Sequence, residues 1–312
     1  MKLRILLAGK SGQVGAELAA ILPRLGEVAA FDHYALDLSK PDHIRRAVRD
    51  VRPSIIVNAA AYTLVDQAET EEKRAHIINV DAPALMAEEA KKIGAALVHY
   101  STDYVFDGSR NRPYDETDQP CPINVYGKTK LAGEEAIRAV GLPHLIFRTA
   151  WVYGKRGRNF LLTILRLATE REELKVVRDQ FGAPTWSHEI AKGTGRVLLQ
   201  ISQEGREASS KFGGVYHMTA AGKTSWFEFA KAILEEASRM PRGIPWFETA
   251  TKGQPLVTRR VNSIATEEYP APARRPAYSV LSNSRLKQDF GLELPAWSWQ
   301  LRAVFAEGRS NS

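Results

Sequence analysis

The sequence predicts an α/β protein: a doubly wound parallel sheet followed by a smaller α/β C-terminal portion. Three observations carry this prediction. Short, near-continuous apolar runs alternate with amphipathic segments throughout the first half, the pattern of strands buried on both faces by crossover helices. A glycine-rich turn, Gly9-Lys-Ser-Gly12-Gln-Val-Gly15, joins the first apolar run to the first amphipathic one. After about Trp151 the rhythm changes, the strands shorten, and glycine and proline become frequent.

Each element follows from its local pattern. Leu3–Ala8 reads as a buried strand and Gly9–Gly15 as the turn. A helix is predicted over Ala16–Leu25, with Leu18, Ile21, Leu22 and Leu25 at helical spacing. Val28–Asp32 is a second strand. Pro41–Val51 is a helix behind an Asp37/Ser39 start, and Ser54–Ala59 a third strand. Helix Ala82–Ile93, strand Ala95–Tyr100, helix Val125–Ala139 and strand His144–Thr149 complete the alternation. Parallel strands need right-handed crossovers, which leads to the doubly wound arrangement. Beyond it, Asn159–Thr169 and His188–Leu199 are expected to be helical and Ser202–Lys211 a surface loop. Gly222–Ser238 holds a helix with Phe227, Ala230, Ile233 and Leu234 on one face. Pro241–Pro276 reads as irregular covering loops. The expected division is a dinucleotide-binding domain over residues 1–151 and a mainly substrate-binding portion over 152–312. Segments near 186–200 and 222–238 are expected to pack back on the first domain.

Composition narrows the function. The 312 residues are 44% hydrophobic and 25% charged, as in an ordinary soluble globular protein. No run approaches the ~18 apolar residues of a membrane helix, and no secretory leader is evident. One cysteine, Cys121, excludes an intramolecular disulfide framework and a cysteine-based zinc site; a reducing, cytoplasmic location is expected. Lys and Arg number 43 against 36 Asp and Glu, a net charge of +7. The basic residues are scattered, which argues against nucleic acid and suits a phosphorylated small molecule.

Six features carry chemistry. The glycine turn sits where backbone N–H groups can meet a pyrophosphate at a helix N-terminus. Asp32, about 20 residues onward, can bind ribose hydroxyls or simply form a strand-end turn. Asn58-Ala59-Ala60-Ala61-Tyr62 puts small residues at a strand edge, leaving room for a flat ligand or for close helix packing. Asp66, just beyond, can face the ligand or solvent. Tyr126 and Lys130 are four apart and share one helix face. A phenol titrates near pKa ~10, and a nearby ammonium stabilises its anion. Thr102, about 25 residues upstream at a strand end, offers a hydroxyl to a carbonyl oxygen. His99, His188 and His217 are read as structural, and Cys121 as inert.

In combination, the GxxGxxG turn, Asn58-Ala-Ala-Ala61, the Ser101-Thr102 strand end and Tyr126-Gly-Lys-Thr-Lys130 resemble the extended short-chain dehydrogenase/reductase family. Longer stretches resemble its nucleotide-ketosugar reductases. They include His99-Tyr-Ser-Thr-Asp-Tyr-Val-Phe106, Phe147-Arg-Thr-Ala-Trp-Val-Tyr153 and Asp179-Gln-Phe-Gly-Ala-Pro-Thr185, and the likeness runs to about residue 300. The resemblance implies a Rossmann-type fold and reduction of dTDP-4-dehydro-6-deoxy-L-mannose to dTDP-L-rhamnose. It makes Thr102, Tyr126 and Lys130 the catalytic set. Tyr126 protonates the C4 oxygen, Lys130 stabilises the tyrosinate and holds the nicotinamide ribose, and Thr102 bonds the carbonyl. It assigns Gly9, Gly12, Gln13, Val14, Gly15, Asp32, Asp37, Leu38, Ala60, Ala61 and Tyr62, with Tyr126 and Lys130, to the cofactor. It assigns Thr102, Asp103, Tyr126, Trp151, Gln180 and Arg275 to the dTDP-sugar, with Trp151 packing on the sugar and Arg275 on the diphosphate. The implied cofactor is NADPH, with NADH tolerated. Some members hold Mg2+ between glutamates at a homodimer contact. Glu17 matches one of these, but His188-Glu189 and Ser298 stand near the others, so no complete metal site is implied. The same fold also resembles the non-catalytic, nucleotide-binding regulatory subunit of methionine adenosyltransferase. That alternative stands beside reduction of another nucleotide-4-ketosugar.

Overall fold

The computed structural model describes residues 3–204, 213–241 and 243–309. Six parallel strands form the main sheet: β1 (Leu3–Ala8), β2 (Gly26–Phe31), β3 (Ile55–Asn58), β4 (Ala96–Thr102), β5 (His144–Thr149) and β6 (Gly214–His217). Their spatial order is β6-β5-β4-β3-β1-β2. The winding direction reverses between β1 and β3, the point at which doubly wound sheets bind ligands beyond the carboxyl ends of their strands. The register brings Ala8 opposite both Phe31 and Asn58, and Thr102 opposite Thr149. The strand ends therefore form one edge.

Alternation along the strands builds a core on each face. Ile5, Leu7, Val57, Val98 and Phe147 pack with Leu18 and Leu22 and with Ile190 and Val197 of the helix Ser187–Glu204. Leu6, Ile56, Leu97 and Ile146 face Ile44 and Val48, Met86 and Ala90, and Ile137. At roughly 1.5–3 kcal/mol for each fully buried large apolar side chain, these layers are the main driving force for the sheet. A third core lies outside the sheet. Helices Phe160–Glu170, Trp226–Ala237 and Trp297–Arg309 bury Leu161, Leu165, Phe229, Ile233, Val304 and Phe305 around Tyr153 and Trp186. Short strand pairs frame it, Glu173–Val177 with Arg260–Ile264 and Val152–Tyr153 with Thr185–Trp186.

Several expectations need correction. The first helix runs Gln13–Ile21, so Gly15 lies inside it, and the chain tightens into a 3-10 turn at Leu22–Arg24. Pro23 lacks the N–H that would continue the helix. β4 extends to Thr102. Two short helices, Val65–Ala68 and Glu72–His76, lead into a π-helical turn, Ile77–Asp81, none of which the sequence pattern announced. The 222–238 segment does not pack on the sheet: its helix starts at Trp226, capped by Ser225, and serves the third core. Residues 241–276 include the helix Pro245–Thr251 and the strand Arg260–Ile264. Of the expected loop Ser202–Lys211, the first three residues continue a helix and residues 205–211 lie outside the described residues. Among the described residues no helix is long and apolar enough to cross a membrane.

Candidate active site

The glycine turn is shaped by contact with the strand edge. Gly9 has φ +86, and a Cβ there would stand 2.8 Å from Ala60 N. Gly15 packs so closely that a Cβ would lie 2.0 Å from Gly9 O. A side chain at Gly9 would fill the space between turn and strand edge, and one at Gly15 would strike the turn itself. Gly12 caps the helix in extended conformation with no side-chain cap, so the first amides are left to an incoming acceptor. This cradle fits a dinucleotide pyrophosphate. Val14 lies against the core. The Gln13 side chain is engaged elsewhere: its Oε1 accepts from Asn159 Nδ2 at 2.9 Å.

Asp32 Oδ1 accepts the Tyr34 and Ala35 amides at 3.1 and 3.0 Å, and its other oxygen stands 3.5 Å from Lys10 Nζ. The Ala35 amide, aided by Lys10, holds its carboxyl below the usual range. It is thus a turn former that also faces a cation. Asp37 closes a local turn on Ser39, and Leu38 is buried in the second core. Ala60 and Ala61 border the cradle, with the Ala60 amide donating to Asn58 Oδ1 at 3.1 Å. Tyr62 is buried, and both its backbone groups are held by the Asn79 side chain, which also donates to Thr129 at 3.1 Å. Asn79 sits in the π-helical turn, a distortion that often marks functional ground.

The helix Val125–Val140 begins at Asn124, whose Oδ1 accepts the Gly127 amide at 2.7 Å, a cap worth ~1 kcal/mol. The same side chain donates to Arg274 O at 2.8 Å. Glu134 binds Arg148 of β5 through both oxygens, at 2.9 and 2.6 Å, which docks the helix on the sheet. Tyr126 is buried in its first turn, edge-on to Tyr104 with ring centroids 5.7 Å apart. Burial pushes the Tyr126 phenol up to about 12; the Thr102 hydroxyl opposes this and Asp103 adds to it. Lys130 is also buried, and burial brings it down to about 8 against the pull of Glu134. Its Nζ donates to Tyr100 O at 2.6 Å and lies 3.0 Å from His99 Nε2. Among the described residues it makes no direct hydrogen bond to Tyr126.

Thr102 Oγ1 accepts the Tyr104 amide at 3.2 Å and donates to Asp103 Oδ1 at 3.1 Å. Burial raises Asp103 to about 6, with hydrogen bonds from Ser279 and Thr102 opposing. Trp151 adopts φ +48, a conformation costing roughly 1–3 kcal/mol in a bulky residue. Its ring stacks on Trp226 at 3.4 Å and 4°. Gln180 is buried and donates to Thr266 at 3.2 Å. Arg275 is held in an ion pair: its Nη2 meets Asp66 Oδ2 at 2.7 Å, and Ala273 N donates to the other oxygen at 3.2 Å. Asp66 therefore turns to the C-terminal portion. Glu17 accepts from His188 Nδ1 at 2.9 Å, and this bond, with Arg156 and Lys155 nearby, lowers its carboxyl. Among the described residues no group of three or more His, Cys, Asp or Glu is arranged for a metal.

Sequence reasoning missed Asn79, took Asn58 only as the start of a small-residue strand edge, and read His99 as structural. Their partners are 17, 41 and 31 residues distant, beyond any local signal.

The strand order with its switch point and the glycine cradle define an oxidoreductase with the Rossmann-type fold of the extended short-chain dehydrogenases/reductases. The family model described as RmlD substrate binding domain matches residues 2–310, and the chain belongs to that family. It is similar to the dTDP-4-dehydrorhamnose reductase of Burkholderia thailandensis, 49% identical over 95% of this chain and 96% of that protein. The reductase of the same name from Escherichia coli K12 is 44% identical over 98% of each chain. A crystal structure of dTDP-4-dehydrorhamnose reductase from Bacillus anthracis in complex with NADP superposes with a TM-score of 0.84 at 37% identity, covering 98% of this chain and 100% of that one.

Proposed function

We propose that the protein reduces the C4 keto group of dTDP-4-dehydro-6-deoxy-L-mannose to give dTDP-L-rhamnose. The observation that carries the reading is the placement of the Thr102 hydroxyl and the Tyr126 phenol together, buried at the sheet edge beside the glycine cradle. The names of the full-length relatives supply the sugar. NADPH, with NADH also accepted, supplies the hydride when bound at Gly9–Gly15 and Ala60–Tyr62. Thr102, its hydroxyl turned from Asp103 to the substrate, donates to the C4 oxygen and polarises the carbonyl. Tyr126 gives its proton to that oxygen as C4 is reduced, and becomes tyrosinate. Because burial makes the phenol a weak acid in the free protein, a neighbouring positive charge is needed to stabilise its anion. Lys130, one turn along the helix, supplies that charge in its ammonium form, which burial confines to below about pH 8. Trp151 on Trp226 forms a rigid wall for the sugar, Gln180 and Asp103 offer polar contacts, and Arg275 faces the diphosphate.

The test is oxidation of NADPH with the dTDP-ketosugar by the protein and by Tyr126→Phe. The substitution is expected to lower kcat by roughly 10²–10⁴ while NADPH binding persists. Parental turnover in Tyr126→Phe removes the proton-donor assignment. Absence of turnover in the parent, with NADPH bound, points to another ketosugar.

A further inference from the structure

His99 lies on β4, fully buried, where the sequence suggested packing alone. Both of its ring nitrogens are engaged. Nδ1 stands 3.1 Å from Asn58 Nδ2, and Nε2 stands 3.0 Å from Lys130 Nζ. Asn58 Oδ1 in turn accepts the Ala60 amide. A backbone N–H only donates, so the Asn58 atom facing Ala60 is oxygen and the group facing His99 is NH2.

A neutral imidazole has one donor and one acceptor nitrogen. With Nδ1 accepting from Asn58, the ring proton sits on Nε2 and points at Lys130. Lys130 must then offer a lone pair, as a neutral amine whose own N–H serves Tyr100 O. An ammonium has no lone pair. It needs Nε2 as its acceptor, which moves the ring proton to Nδ1 and sets it against the Asn58 NH2, donor to donor. Turning the Asn58 amide relieves that clash but takes Oδ1 from Ala60. Charging the ring instead is disfavoured, because burial and Lys130 hold His99 well below the usual histidine range. The hydrogen-bond demands of Lys130, His99, Asn58 and Ala60 are therefore linked.

On the reductase reading above, we propose that His99 is a positioning residue for Lys130. Its tautomer ties the charge on Lys130 to the orientation of Asn58, and through Asn58 to the Ala59–Ala61 edge of the cofactor cradle. Binding a cofactor whose ribose hydroxyls accept from the Lys130 ammonium thereby draws a proton into the site and turns Asn58. The other ionisable groups near Lys130 are few. Glu134 favours the ammonium and is itself bonded to Arg148. Tyr126 lies one turn back, under the influence of Asp103. The Tyr100 phenol is held by Thr194 at 2.7 Å.

The experiment uses the full chain with His99→Gln and His99→Leu. NADPH binding is followed by calorimetry near pH 8 in two buffers of different ionisation enthalpy, and kcat and KM are measured across the same region. The Gln carbonyl is a fixed acceptor that cannot tautomerise. Proton uptake on NADPH binding is expected to shrink, and the basic limb of kcat to move up by about one pH unit, with the sugar KM little changed. In His99→Leu the ammonium loses an acceptor, so the limb is expected to move down and kcat to fall about tenfold. Parental proton uptake and an unmoved limb in His99→Gln overturn the proposal, as does a loss of kcat that is uniform with pH. If His99→Leu does not fold, His99→Gln decides alone. A parent that binds NADPH without reducing the ketosugar defeats the reductase reading, and the calorimetry still decides the role of His99.

Discussion

Arg275 and Asp66, 209 residues apart in sequence, meet at 2.7 Å and so tie the C-terminal portion to the short helix Val65–Ala68 that follows β3. Burial alone would raise Asp66, yet the Arg275 guanidinium and the Ala273 amide bring its carboxyl below the ordinary value. Asp66 thus orients the one cation assigned to the sugar diphosphate. Arg275→Ala is expected to raise KM for the nucleotide sugar by about tenfold or more, and Asp66→Ala by a smaller factor. The double variant should match Arg275→Ala, because the two side chains act as one unit. Steady-state kinetics on the three proteins check this, and additive losses would separate the residues.

Asp103 predicts an unusual stability profile. Its folded pKa of about 6 lies above the ordinary aspartate value of 3.8, so the folded state binds more protons in that interval. Stability contributed by the neutral carboxyl is present below about pH 4 and is lost as pH rises through about 6. Asp103→Asn, which keeps an acceptor for Thr102 and Ser279, is expected to gain up to roughly 3 kcal/mol relative to the parent at pH 8. The gain should vanish near pH 4. Thermal unfolding at the two pH values reads the difference.

At Gly9, an alanine meets both a left-handed φ and the Ala60 backbone. The expected cost of Gly9→Ala is roughly 1–3 kcal/mol from backbone strain, together with loss of NADPH binding as the cradle fills. Chemical denaturation and fluorescence titration with NADPH measure the two effects separately.

Lys10 stands beside Asp32 at the mouth of the cradle. If this end takes the adenosine ribose, Lys10→Ala removes the cation that offsets Asp32 against a 2′-phosphate. KM for NADPH is expected to rise about tenfold and KM for NADH by less than about threefold. Equal changes for the two cofactors would place the ribose end elsewhere.

How much of this was legible depends on the range of the signal. The strands β1, β3, β4 and β5 were readable because each carries a buried apolar run, and half-buried β2 was readable from its short Val28–Phe31 run. β6 was not, since Gly214-Val-Tyr-His217 is four residues with no period to read and joins the sheet only by pairing with β5. Gly15 was misread as part of the turn: glycine serves there for close approach to the Gly9 carbonyl, from within a helix. Tyr126 and Lys130 share a helix, so their spacing was visible. The Lys130–His99–Asn58 contacts cross three elements, and only the fold brings them together.

The return of the chain to the sheet has a consequence for dissection. β6 covers the outer margin of β5, and Ser187–Glu204 covers Leu18 and Leu22. A fragment cut after residue 151 would bare an unpaired strand and the apolar flank beneath that helix, both invitations to self-association. The nucleotide half is consequently not a module that evolution or an engineer can lift out and graft elsewhere. Even the stretch from Pro241 to Pro276 is not free to exchange, because its strand Arg260–Ile264 pairs with Glu173–Val177 and its Arg275 holds Asp66.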